Sequence, residues 1–397
     1  MTYESILLGA LLLLMAFGVE HMARVTGIPS VVALIVIGAV AKPLLHAAGV
    51  GLTDLDGVVP LLGTVGLVLI VLEGAFDLRL QKDRLRCVGQ ALASAALGLL
   101  LSCVALALLA MWWFKVSAFE AILLATPFAV ISSAVAIPSS GFMAAAQREF
   151  VIYESTLSDI LGILLFFAMV NSDHTVSGVA MSLLGKGSLS LILGMVCALL
   201  LLVILSKLQG RIRFVPLLAG LFLLYAIGKL MHLSPLIMVL VFGLVLSNPI
   251  LFGRLHLFKS SYADAGFYST LEEFKSLTIE LTFAVRGIFF MLLGYWTKLD
   301  SLLSAHAWVA ACLVLVTLYG LRYLLMTCLH IHSPKVLTWM APRGLITVLL
   351  YLNAKDLVSV PAQLDGAVML IVMCTALATG LARWFGFKEK LAQPGAA

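Results

Sequence analysis

The chain has 397 residues, 62% hydrophobic and 11% charged, with a mean hydropathy of +1.12. Soluble domains are nearer half apolar and a quarter charged, so an ordinary water-soluble core is excluded. The net charge of +5 sits in short basic clusters between apolar runs, which is a pattern of membrane topology and not of nucleic-acid binding.

Runs of about 18 or more apolar residues can cross ~30 Å of hydrocarbon as helices. They predict thirteen spans: 5–22, 28–45, 58–77, 87–114, 118–140, 150–171, 187–206, 213–231, 234–252, 278–297, 303–329, 335–354 and 364–385. The first follows Met1-Thr2-Tyr3-Glu4, without a basic n-region or a small-residue cleavage site, and is expected to be a retained span and not a signal peptide. Only the connection 253–277, with Glu272, Glu273 and Lys275, is long and polar enough to hold a surface helix. Residues 386–397 are expected to form a short tail. Cys87, Cys103, Cys197, Cys312, Cys328 and Cys374 have no paired spacing and read as small apolar residues, so neither a disulfide nor a thiolate metal site is expected. No histidine lies in a metal-binding spacing such as HExxH.

Lys and Arg counts in the loops set orientation. Odd-numbered loops and the C-terminus carry sixteen, from Arg24 through the Arg79–Arg86 cluster to Lys390; even-numbered loops carry six. The bias predicts an outside N-terminus and a cytoplasmic C-terminus in the cell membrane. Three basic residues, Arg286, Arg322 and Arg343, fall within spans.

Two spans look broken. The fifth reads Thr126-Pro127-Phe128-Ala129-Val130-Ile131-Ser132-Ser133, followed by Pro138, and the twelfth contains Pro342-Arg343-Gly344. Proline removes a backbone donor and so frees a carbonyl, which needs another partner inside a membrane. Such breaks at matching places in two repeats mark transporter ion sites. The offset of seven spans makes the repeats inverted: one about 5–171, a linker helix about 187–206, and two about 213–385, within one domain covering 1–397.

Ionisable residues in the apolar interior are costly and mark function. They are Glu73, Glu154, Asp159, Glu280, Arg286 and Arg343. At about 100° per residue, Ser155 and Asp159 lie about 40° apart on one helix face, and Glu154 and Asp159 about 140° apart. The two carboxylates should therefore face different neighbours. Arg343, beside the second break, is the natural partner for Glu154. Asp159, Ser155 and freed carbonyls of the fifth span would offer an oxygen cage to a small hard cation. Carboxylates withdrawn from water can bind a proton near neutral pH, and competition between proton and cation at one group is the simplest chemistry of exchange. Glu280 and Arg286 read either as a pair with each other or as contacts to the lipid interface.

These residues resemble the monovalent cation/proton antiporters, especially the NhaP-like sodium/proton antiporters. Glu154-Ser155-Thr156-Leu157-Ser158-Asp159 looks like that family's Gly-Glu-Ser-x-x-Asn-Asp stretch. Leu72-Glu73-Gly74-Ala75-Phe76-Asp77-Leu78, Phe289-Phe290-Met291-Leu292-Leu293-Gly294 and Arg343-Gly344 also have counterparts. The resemblance implies an all-helical NhaA-like fold with two crossed, discontinuous helices, a homodimer, and elevator-like motion. It implies that Asp159 binds cation and proton, that Ser155 and Glu73 contribute to the site, and that Glu154 pairs with Arg343. No cofactor beyond the transported Na⁺ and H⁺ is implied. Two departures stand out. Ser158 replaces the family's Asn or Asp. The Thr-Asp-Pro of the fifth span is here Ala125-Thr126-Pro127 or, in another register, the Ser132-Ser133 stretch, so that aspartate is absent. Thr126, Ser158, Ser132 and Ser133 become candidates for the ion site.

Exchange of protons for Na⁺, or for Li⁺ or K⁺, is thus the leading expectation, with a potassium-efflux carrier on the same fold as its rival. An intramembrane hydrolase fits less well, because the histidines lie at span ends and only Asp159 is a deep aspartate. A receptor or scaffold would give no reason for breaks around buried charge.

Overall fold

The structure is a computed structural model of the whole chain. It describes residues 2–26, 29–47, 58–78, 84–172, 176–181, 185–207, 214–231, 233–248, 265–297, 299–331, 333–358, 360 and 363–392. Among them there is no strand.

The helices are α1 (Thr2–Thr26), α2 (Ser30–Ala47), α3 (Val58–Asp77), α4 (Leu85–Phe114), α5 (Ala118–Ala129), α6 (Ser133–Ser139), α7 (Ala145–Val170), α8 (Val176–Met181), α9 (Gly187–Lys207), α10 (Phe214–Leu230) and α11 (Pro235–Ser247). They continue with α12 (Ala265–Trp296), α13 (Leu299–Leu303), α14 (Ala305–Cys328), α15 (Pro334–Trp339), α16 (Leu345–Lys355) and α17 (Gln363–Ala392). Among the described residues, six helical stretches are long and apolar enough to cross a membrane: Leu85–Phe114, Ala118–Phe142, Ala145–Val170, Ser269–Trp296, Ala305–Cys328 and Leu364–Phe385. Large apolar side chains such as Leu108, Trp112, Ile192 and Val316 are exposed on them and on α9, which suits a hydrocarbon solvent. The chain is a multi-pass membrane protein.

Local chemistry sets several boundaries. Ser117 and Glu120 form a reciprocal capping box at the start of α5, with Glu120 N donating to Ser117 Oγ at 3.3 Å and Ser117 N to Glu120 Oε2 at 2.9 Å. Prolines open α11 and α15, where the missing amide costs nothing. Lys115 ends α4 in the left-handed region (φ 57).

One expectation is corrected. The polar segment with Glu272, Glu273 and Lys275 is no separate surface helix, because α12 runs unbroken from Ala265; its acidic and basic residues fall on exposed or half-exposed positions of the first turns. Residues 249–264 of that connection lie outside the described residues. Helix α17 runs into the expected tail as far as Ala392, as Lys and Glu are good helix formers; residues 393–397 lie outside the described ones.

The chain divides into two compact units. The first comprises residues 1–65, 87–159 and 284–397; the second comprises 66–86 and 160–283. In the first, α14 and α15 pack on α17, and α16 on α5. There α2 meets the C-terminal part of α12 backbone to backbone: a β-carbon at Gly38 would strike Met291 O, and one at Gly294 would strike Ile35 O. In the second, α11 packs on α9 and α10. The C-terminus of α3 is held there by side chains: Ser247 Oγ donates to Phe76 O at 3.0 Å, Lys275 Nζ to the same oxygen at 3.3 Å, and Asn248 Nδ2 to Leu78 O at 2.9 Å.

Candidate functional site

The site grows from the interruption between α5 and α6. Beyond Pro127 the helix stops at Ala129, and Val130 is extended (φ −71°, ψ 133°). The amides that follow have lost their helical acceptors in a buried region, where an unpaired backbone group is costly. Partners from elsewhere take them. Ile131 N donates to Ser158 Oγ at 2.9 Å, Ser132 N to Pro342 O at 2.8 Å, and Ser133 N to Asp159 Oδ2 at 3.0 Å. Ser133 Oγ donates to the same carboxylate oxygen at 2.5 Å.

The second interruption, between α15 and α16, meets the first. Gly344 fits there because a β-carbon would run into the Ser132 side chain. Arg343 stitches the two together: its Nε donates to Phe128 O at 2.7 Å, its Nη1 to Ala341 O at 2.7 Å, and its backbone N to Thr375 Oγ1 of α17 at 2.9 Å. Arg286 adds a bond from Nη1 to Ala134 O at 3.3 Å.

Asp159 is 5% exposed. Its Oδ2 is anchored twice by Ser133, whereas its Oδ1 is buried and has no hydrogen-bond partner. Ser132 Oγ and Thr156 Oγ1 are likewise buried and without partners. A carboxylate with one oxygen fixed and the other open is prepared for a small ligand that brings positive charge.

The expected partnership of Glu154 with Arg343 is corrected. Glu154 pairs with Arg322 of α14, from Nη2 to Oε2 at 2.7 Å and from Nη1 to Oε1 at 3.0 Å, and Ser94 Oγ of α4 donates to Oε1 at 2.5 Å. This is the bidentate geometry that guanidinium and carboxylate favour. Arg322 Nε also donates to Leu337 O at 3.0 Å, near the end of α15. Arg343 is occupied by carbonyls freed at the two interruptions, a job that the sequence reading did not give it. The signal for Arg322 was present in the sequence, since it too is a basic residue inside an apolar span.

The remaining candidates separate. Ser155 Oγ donates back to Val151 O at 2.7 Å, one turn from Asp159, and Thr126 Oγ1 donates to Ile122 O at 2.8 Å. Ser158 serves the chain at Ile131. Of the carbonyls in the fifth span, Phe128 O is taken by Arg343. Glu280 and Arg286 are not brought together: six residues apart on α12 they point about 120° away from each other, and Glu280 is exposed. Glu73 is half-buried on α3 in the second unit. Among the described residues no cluster of three His, Cys, Asp or Glu could hold a metal.

Two solved structures of the sodium proton antiporter MjNhaP1 from Methanocaldococcus jannaschii share this fold. One, at pH 8, is 20% identical with a TM-score of 0.74, covering 97% of each chain. The other, an electron-microscopy map, is 19% identical with a TM-score of 0.73, covering 100% of this chain and 98% of that one. No curated protein matches the sequence. The family profile described as "Sodium/hydrogen exchanger, transmembrane" matches residues 9–387, and the chain therefore belongs to the sodium/hydrogen exchanger family.

Proposed function

We propose that this protein is a secondary antiporter that exchanges protons for a monovalent cation, Na⁺ before Li⁺ or K⁺, with Asp159 binding the two alternately. The observation that carries the reading is the buried carboxylate beside two interrupted helices, with Oδ2 anchored by Ser133 and Oδ1 left bare. Family membership supports cation/proton exchange as the class of reaction.

In this reading Ser133 keeps the carboxylate in place through the cycle. A proton or a cation then takes Oδ1, and neither can bind while the other is there. Ser132, Thr156 and Ser155 offer further oxygens to the cation; Ser158 and Arg343 hold the interruption open. Thr126 and Glu73 remain candidates through the family resemblance. Glu154 and Arg322 brace the core without touching the ion. Thirteen crossings, inverted repeats in an NhaA-like arrangement, an outside N-terminus, a cytoplasmic C-terminus in the cell membrane and a homodimer complete the proposal.

The test uses proteoliposomes holding an acid interior, followed by a pH-sensitive dye. Adding Na⁺, Li⁺ or K⁺ outside should collapse the gradient with the wild type and not with Asp159→Asn. No response to any of the three ions, or full activity in the variant, overturns the reading.

A further inference from the structure

Between α4, α5, α14 and α17, all in the first unit, lies a half-open groove. Leu106, Ala110 and Trp113 form one strip along α4, about 10 Å long at 1.5 Å per residue, and Phe128, Leu313 and Leu364 face them from the other helices. The lining is apolar, so ordered water has nothing to bond there.

The surroundings decide the occupant. All four wall helices belong to stretches apolar enough to cross a membrane. Leu108 and Val316, on the same two helices as the groove's outer walls, are 61% and 73% exposed, so lipid hydrocarbon is the solvent at this surface. Trp112 and Trp113, with rings 6.1 Å apart, stand at the end of α4 and Trp308 at the start of α14, residues of the kind that sit at headgroup depth. Lys115, exposed, follows directly on the outer side in the proposed orientation and offers a cation to a lipid phosphate there.

We propose that this groove seats one acyl chain of an anionic phospholipid, with the headgroup at Lys115. The occupant would lean on the antiport machinery. Phe128 is one wall of the groove; its carbonyl receives Arg343 Nε, and its ring packs 6.1 Å from that of Tyr351 on α16. A bound chain would thus support the end of α5 from behind, at the point where the helix is interrupted.

The experiment reconstitutes the full chain in vesicles of phosphatidylglycerol carrying a photoreactive diazirine in the acyl chain, and maps adducts by mass spectrometry. Adducts should concentrate on residues 106–114 and 310–314. Ala110→Trp, which fills the groove, should lower them about fivefold while adducts at Ile192 and Val196 of α9 stay unchanged. Should that variant fail to fold, Ala110→Leu is the milder filling and should lower them about threefold. Lys115→Gln should reduce the preference for phosphatidylglycerol over phosphatidylcholine at the groove about twofold. Adducts that follow surface exposure alone, or that persist in the filled variants, mean annular lipid only and overturn the proposal. Labelling does not depend on transport, so this inference and the antiport reading fail separately.

Discussion

Cutting Arg322 to Leu leaves the Glu154 carboxylate buried without its counter-charge. Removing one member of a buried pair costs about 3–5 kcal/mol, whereas replacing both with apolar residues is often close to neutral. A chain of 397 residues gains about 2.1 cal/mol/K per residue on unfolding, so each kcal/mol shifts its midpoint by roughly 1.2 °C. Arg322→Leu should therefore lower the melting temperature by roughly 4–6 °C, read by fluorescence-detected size exclusion after heating in detergent. Glu154→Leu alone should fall by a similar amount, and the double variant should recover much of the loss. The coupling between residues 154 and 322 in that cycle should exceed about 2 kcal/mol, while the cycle of residues 154 and 343 should give less than about 0.5 kcal/mol. The reasoning fails if Arg322→Leu melts within about 1 °C of the wild type, or if the larger coupling belongs to Arg343.

Ser133→Ala removes one of the two donors on Asp159 Oδ2, and a hydrogen bond to a charged group is worth about 1.5–3 kcal/mol. The apparent KM for Na⁺ in dye assays should rise about tenfold or more; an unchanged KM would place the cation elsewhere. Gly344→Ala should destabilise by about 1–3 kcal/mol through overpacking against Ser132, with Ser132→Gly in the same chain restoring most of it in thermal melts; no rescue would mean that the contact is not limiting. Competition at one oxygen fixes the sign of the pH effect. Protons displace the cation, so the KM for Na⁺ should rise as pH falls, by about tenfold per unit once the carboxyl is largely protonated, with Vmax little changed. A KM that falls on acidification would refute shared binding at Asp159.

Helix ends and interruptions were largely legible in the sequence, because proline and apolar run length act locally. The spans 58–77 and 118–140 show this: α3 occupies the first, and the second splits after Ala129, close to Pro127. The divergence of Glu154 and Asp159 also followed from helical periodicity alone. Partner choice did not. Nothing in a linear sequence distinguishes Arg322 from Arg343 as the partner of Glu154, since both are buried arginines and the choice rests on which helix packs beside α7. The role of Ser133 was equally hidden. It became visible only once the amide left free at the interruption had to find an acceptor, and Asp159 was in reach. The extent of α12 was misjudged for another reason: polar residues at its start lowered hydropathy without lowering helix propensity.

The glycine seam of α2 and α12 has a consequence for motion. With Gly38 and Gly294 letting the two backbones touch, no layer of side chains is left to slide or to change rotamer between them. In mechanical terms the joint is a weld and not a bearing. In the antiport reading proposed above, alternating exposure of the ion is then accommodated at other surfaces, while residues 35–39 and 291–295 travel together as one piece.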